Sequence, residues 1–212
     1  MIRFVYFDFG NVLVYFSVPR LLKQVRDVVD ANAATIEQMS EVVFGSGLEN
    51  RFETGLITEA EFLDEFQSIV GKKLPVDKLR QAVSDIFSLN QAIFPVLQSL
   101  NDANVPRGIL SNTSIMHWEF CKIKYPIVHE LIPSNHVLSY EAGSMKPEQG
   151  IYKTALQQVT KVMPSIQSQE ILFIDDLEHN VQAAKKFGFD AVRYTDTKNL
   201  TAELKKRGLE VG

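Results

Sequence analysis

Residues 2–9 are almost unbroken by polarity, with Arg3 and Asp8 the only charges before the turn pair Gly10 and Asn11. A β-branched and aromatic run that stops at a turn predicts a strand buried on both faces. Shorter apolar runs of the same kind recur at residues 108–110, 171–174 and 191–194. Between them the period changes. Residues 91–101, 147–159 and 178–187 space their apolar residues three and four apart. Asn90 suits an N-cap, Pro147 a first helical position, and Gly188 the end of the last helix. Strands alternating with helices predict an α/β fold, a doubly wound parallel sheet.

Residues 18–89 interrupt that alternation. Helical patterns follow one another there, two of them opened by capping boxes, Thr35 to Gln38 and Thr58 to Glu61, and no strand run stands out. This predicts an all-helical domain (18–89) inserted into an α/β core made of residues 1–17 and 90–212. The linkers fall near residues 15–19 and 88–90, and residues 197–212 read as a short final helix.

Composition narrows the class. The 212 residues are 45% hydrophobic and 23% charged, so a disordered or collagen-like chain is excluded. Lys and Arg number 22 against 26 Asp and Glu, a net charge of −4 without a basic run, and nucleic acid is not expected as a partner. The single cysteine, Cys121, cannot form an intrachain disulfide, which points to a reducing compartment, the cytoplasm. The first residues lack the pattern of a secretory signal, and no segment approaches the ~18 uninterrupted apolar residues of a membrane span. The pattern does not set the oligomeric state.

In an open parallel sheet, ligands bind beyond the carboxyl ends of the strands. Four polar groups fall there: Asp8, then Ser111 with Asn112, then Lys146 ahead of a helix, then Asp175 with Asp176. A carboxylate can attack phosphorus, but phosphoryl oxygens repel it unless a cation intervenes. Magnesium prefers one or two carboxylates with water and phosphate oxygens, a demand that Asp8 and the Asp175 and Asp176 pair meet. Ser111 and Lys146 suit the remaining phosphoryl oxygens.

Phe7-Asp8-Phe9-Gly10-Asn11-Val12-Leu13, Leu110-Ser111-Asn112-Thr113, Lys146-Pro147-Glu148 and Phe173-Ile174-Asp175-Asp176 with Asn180 resemble the four ordered motifs of the haloacid dehalogenase superfamily. The helical insertion falls where that superfamily carries its cap. The Asp-Phe-Gly-Asn variant and the segment Glu53-Thr54-Gly55-Leu56-Ile57-Thr58 are similar to the branch of bacterial α-glucose-1-phosphate phosphatases and the phosphatase domain of soluble epoxide hydrolase. The resemblance implies a magnesium-dependent phosphatase with Asp8 as nucleophile. Asp8, Asp176, Asp175 and the Gly10 carbonyl would hold the metal. Ser111 and Asn112 would bind substrate, and Lys146 would act with Asp8 in catalysis. Most phosphatases of the superfamily carry an aspartate, the general acid and base, two residues after the nucleophile. Gly10 stands there in this chain.

The expected substrate is a small phosphorylated metabolite, a sugar phosphate among the candidates. Two other readings stand beside it: a phosphate- or partner-binding regulatory domain without catalysis, and a haloacid dehalogenase, which fits the acidic pair poorly because it needs no metal. With no acid at position 10, the alcohol must leave with help from water, from the substrate or from a group such as His117, and hydrolysis of the aspartyl-phosphate becomes the expected slow step. His117 beside Trp118 reads more often as packed, and Glu53, which could face the site from the cap, more often as an exposed helical charge. Asn180 reads as structural, and Met116, Trp118 and Phe120 as packing.

Overall fold

The computed structural model describes residues 1–30 and 34–211. Among the described residues seven strands form: β1 (Phe4–Phe7), β2 (Val14–Phe16), β3 (Phe87–Leu89), β4 (Arg107–Ser111), β5 (His136–Leu138), β6 (Ile171–Asp175) and β7 (Asp190–Arg193). Five of them build one parallel sheet in the order β5-β4-β1-β6-β7. β1 is therefore the central strand and its first residues face neighbours on both sides, as its unbroken apolar run requires.

The helices are α1 (Val18–Asp30), α2 (Ile36–Ser40), α3 (Leu48–Glu53), α4 (Glu59–Val70), α5 (Val76–Ser84) and α6 (Phe94–Asp102), followed by α7 (Ile115–Lys124) and α8 (Pro126–Leu131). The last four are α9 (Ser139–Ala142), α10 (Gln149–Val162), α11 (Glu178–Phe187) and α12 (Thr197–Lys206). Both capping boxes form, at Thr35 with Gln38 and Thr58 with Glu61, and Gly188 closes α11 in the left-handed region. α1 to α5 are the helices between β2 and β3.

Side chains alternate across the sheet. Phe4 and Tyr6 of β1 join Leu110 and Phe173 under α10 and α11, while Val5 and Phe7 join Ile109, Leu172 and Ile174 on the opposite face. That second cluster runs on without a break into the helical insertion, through Val25, Phe52, Phe66 and Leu79. Burying aromatic and aliphatic side chains of this size contributes about 1.5–3 kcal/mol each, so the insertion and the sheet share one apolar core.

The structure corrects three local expectations and adds a strand the sequence did not announce. The linkers near residues 15–19 and 88–90 contain the paired strands β2 and β3, an antiparallel ribbon in the register Val14 with Leu89. Asn90 stands before a 3-10 turn at Gln91–Ile93 rather than before the α-helix, and its side chain makes no cap bond; its amide donates to the Val12 carbonyl at 2.8 Å and to the Tyr194 hydroxyl at 2.7 Å, tying the ribbon to the sheet. The helix read from Pro147 starts at Gln149, with Glu148 as its extended N-cap, because the main chain of Lys146 is held elsewhere. β5 was hidden in a three-residue run after Asn135.

Candidate active site

The site is built from the ends of three neighbouring strands. Phe7 pairs with Ile174, and the Asp8 amide continues that ladder by donating to the Ile174 carbonyl at 2.8 Å. Asp8 and Asp175 thus leave the sheet side by side. Between them stands Lys146, whose ammonium lies 2.7 Å from Asp8 Oδ1 and 2.7 Å from Asp175 Oδ2. All three side chains are buried.

Each carboxylate has a further donor. The Phe9 amide meets Asp8 Oδ1 at 2.6 Å. The Asn180 side chain reaches both oxygens of Asp175 at 3.1 Å, and the Leu177 amide adds a bond of 2.8 Å. Asp176 accepts from Asn11 Nδ2 at 3.1 Å, and Asn11 sits in the left-handed turn after β1 at φ 54°. Lys146 is placed by Asn112: its amide N–H donates to Asn112 Oδ1 at 2.7 Å and its carbonyl accepts from Asn112 Nδ2 at 2.9 Å.

The Asp8 carboxyl is raised to about 7, because burial and the neighbouring Asp175 push it up by more than Lys146 pulls it down. Burial also raises Asp176, partly offset by its bond from Asn11. Against the burial that lowers it, the two carboxylates hold the Lys146 ammonium above its ordinary value. Oxygens of Asp8, Asp175 and Asp176 lie within 4.8 Å of one another. Three carboxylates against one ammonium leave two negative charges in a buried cluster of hard oxygen donors, a set suited to a divalent cation of the magnesium type.

Asp8, Gly10, Ser111, Asn112, Lys146 and Asp176 line one cavity of about 480 Å³. Asp175, wholly buried, lies beneath its wall. Ser111 is also buried, and its hydroxyl donates to the Asn112 carbonyl at 3.1 Å. Both ends of the Asn112 amide are taken by Lys146, so this side chain positions the lysine, where the sequence suggested a contact to substrate.

The opposite wall belongs to the helical insertion, where Glu49, Asn50 and Glu53 of α3 face the cavity. Glu53 is half-buried there, a correction to its reading as an exposed helical charge. Nothing in the sequence marked Glu49. Burial pushes Glu49 up to about 7; burial first, then Glu49, push Glu53 up to about 8. His117 also lines the cavity, but its Nε2 donates to the Val83 carbonyl at 3.0 Å and burial pushes it down to about 4. It is a neutral, engaged ring.

Among the described residues, no helix is long and apolar enough to cross a membrane. The sequence pattern of the haloacid dehalogenase-like hydrolases matches residues 2–188. The chain is 27% identical over 199 residues to a D-ribitol-5-phosphate phosphatase of Bacteroides thetaiotaomicron, covering 90% of each. A haloacid dehalogenase family enzyme of the same bacterium, solved with magnesium and inorganic phosphate, superposes with a TM-score of 0.79 at 26% identity, over 94% of this chain and 99% of that one. The L-2-haloacid dehalogenase of Xanthobacter autotrophicus shares the fold at a TM-score of 0.62 and 21% identity, over 97% of this chain and 83% of that one. With a buried aspartate, lysine and acidic pair at the strand ends of such a sheet, and a family pattern that spans nearly all of it, the chain belongs to the haloacid dehalogenase-like hydrolases.

Proposed function

We propose that this protein is a magnesium-dependent phosphatase of small phosphorylated metabolites, working through an aspartyl-phosphate on Asp8. The observation that carries the reading is the Lys146 ammonium held 2.7 Å from both Asp8 and Asp175 at the base of a closed-in cavity. Asp8 Oδ1 is anchored by Lys146 and the Phe9 amide, while no protein donor meets Oδ2 among the described residues, so one oxygen is fixed and the other is left for chemistry. Asp8, Asp176, Asp175 and the Gly10 carbonyl would hold the cation. A bound magnesium ion supplies the positive charge that lets an anionic carboxylate approach an anionic phosphoryl group. Lys146 adds a fixed charge at the phosphoryl oxygens, and Ser111 a hydroxyl.

Residues 18–89 act in this reading as a cap over the core of residues 1–17 and 90–212, screening the cavity from water and shaping it to the substrate. The cavity suits a molecule with several hydroxyls, because Glu49, Asn50 and Glu53 present polar groups opposite the phosphate site. The similarity to a D-ribitol-5-phosphate phosphatase puts polyol and sugar phosphates first. Cys121, buried and unpaired, fits the cytoplasm. The test is phosphate release from D-ribitol 5-phosphate, pentose and hexose phosphates, with and without magnesium. Release only with magnesium supports the reading, and release from none of them refutes it.

A further inference from the structure

Gly10 leaves the reaction without a proton donor beside the nucleophile. An ideal Cβ built there lies 3.4 Å from the Phe16 ring, so the space where an acid would project abuts an aromatic edge. The proton must come from another wall of the cavity. Its titratable lining is Asp8, Glu49, Glu53, His117, Lys146 and Asp176. Asp8 and Lys146 are paired, Asp176 is bonded by Asn11, and the His117 ring is neutral and tied to Val83. The two glutamates remain, and neither makes a hydrogen bond or salt bridge among the described residues.

The chain itself separates them. Thr54, next after Glu53, gives its hydroxyl proton to the Asn50 carbonyl and rests its oxygen 3.2 Å from Met145 Sδ, and Met145 precedes Lys146. Gly55 follows at φ 73°, so close to the core that a Cβ would stand 2.1 Å from the Tyr140 carbonyl oxygen. Only glycine fits that approach. The C-terminal end of α3 is thereby clamped to the floor beside the lysine, with Glu53 next to the clamp and Glu49 one turn further back. Behind Glu53 lies a narrow apolar slot lined by Leu48, Phe52, Phe62, Phe66 and Met116.

We infer that Glu53 is the general acid and base of this enzyme, delivered by the helical insertion in place of the residue missing at Gly10. The inference rests on the phosphatase reading. In the first step an Asp8 oxygen bonds to phosphorus, the bond from phosphorus to the substrate oxygen breaks, and the Glu53 carboxyl gives its proton to that oxygen, releasing the alcohol. In the second, water bonds to phosphorus, Glu53 takes a proton from it, and the bond to Asp8 breaks to give phosphate. Glu53 ends protonated and Asp8 free, as they began. The apolar slot favours the protonated form, as in other acids set against hydrophobic walls. The charged groups facing Glu53 are Glu49 from its own helix and Lys146 and Asp8 from the floor, with His117 neutral beside them.

The experiment is a leaving-group series, from nitrophenyl to simple alkyl phosphates, on the full chain with magnesium. Glu53→Gln should lower kcat/KM for alkyl esters by ~10²- to 10⁴-fold and nitrophenyl phosphate release much less, with a melting temperature no lower than that of the wild type. Rapid mixing of Glu53→Gln with nitrophenyl phosphate should show a stoichiometric burst of nitrophenol, since the base of the second step is gone. The burst that Gly10 alone predicts for the wild type thus moves to the variant. Glu53→Asp should recover part of the alkyl rate. A leaving-group dependence equal to wild type in Glu53→Gln, or steepened instead by Glu49→Gln, overturns the assignment, as does a Glu53→Asp no better than Glu53→Gln. A wild type inactive on every ester overturns the phosphatase reading itself.

Discussion

On the floor of the cavity each carboxylate has a protein donor, while the two on the roof have none among the described residues. Asp8 meets Lys146 and the Phe9 amide, Asp175 meets Lys146, Asn180 and the Leu177 amide, and Asp176 meets Asn11. Glu49 and Glu53 line the same space with an apolar slot behind them. One residue chemistry is thus prepared for two tasks. A floor acid fixed by donors suits holding a cation or attacking phosphorus in a single geometry. A roof acid without them tends to keep its proton.

The contrast can be broken from either side, and the floor gives the larger effects. Asp8→Asn should lower turnover by on the order of 10⁴-fold or more, since removing a covalent nucleophile leaves only binding and electrostatics. Circular dichroism should show the fold intact, and a variant that keeps most of its activity would remove Asp8 as nucleophile. Lys146→Met strands two buried carboxylates and should cost about 3–5 kcal/mol of stability in urea without metal. Equal denaturation midpoints for variant and wild type would show that the floor does not depend on its lysine.

Magnesium should stabilise the wild type by about 2.7 kcal/mol at a hundredfold excess over its Kd. Thermal melts give the measurement. Asp176→Asn should shrink the shift, and a wild type with no shift at saturating metal would count against the cation site.

The smallest effect belongs to the roof and has the opposite dependence on conditions. Glu49 has its carboxyl raised from 4.5 to about 7 by burial. Its folded form holds a proton that the unfolded chain has already lost between those values, so its contribution is full below about 4.5 and disappears as pH rises through about 7. Glu49→Gln should therefore raise stability by ~1–2 kcal/mol at pH 8, after allowing for solvent screening, and leave it unchanged near pH 4. Melts across that range decide it, and a gain independent of pH would mean that the carboxyl is already solvated.

The floor could be read from sequence because strand ends are local signals: each of Asp8, Ser111 and Asp175 follows directly on an apolar run, and a parallel sheet brings such ends together. The left-handed Asn11 lay in the same motif, but its bond to Asp176 crosses 165 positions and has no local mark. On the roof the sequence offered Glu53 only as one of two readings and left Glu49 unmarked, because whether a helical glutamate meets water or a cavity depends on where its helix docks. For Glu53 that was decided by Thr54 on Met145 and Gly55 on Tyr140, contacts between segments far apart in the chain. Asn90 departed from its reading for a similar reason, its side chain being turned to donate to Val12 and Tyr194 and making no cap bond. The ribbon of β2 and β3 escaped because three residues are too few to establish an alternation.

The double bond between Asn112 and the main chain of Lys146 has an architectural consequence. A side-chain amide there does what a neighbouring strand would do, accepting from one N–H and donating to one carbonyl of a residue 34 positions away. It adds one rung to the sheet just past the end of β4 without requiring another strand. The lysine is indexed to that rung, and its height above the sheet does not depend on how the chain travels between the two residues. The stretch that carries α7 and α8 can therefore change its path without moving the ammonium, because the lysine takes its place from Asn112 and not from the chain between them.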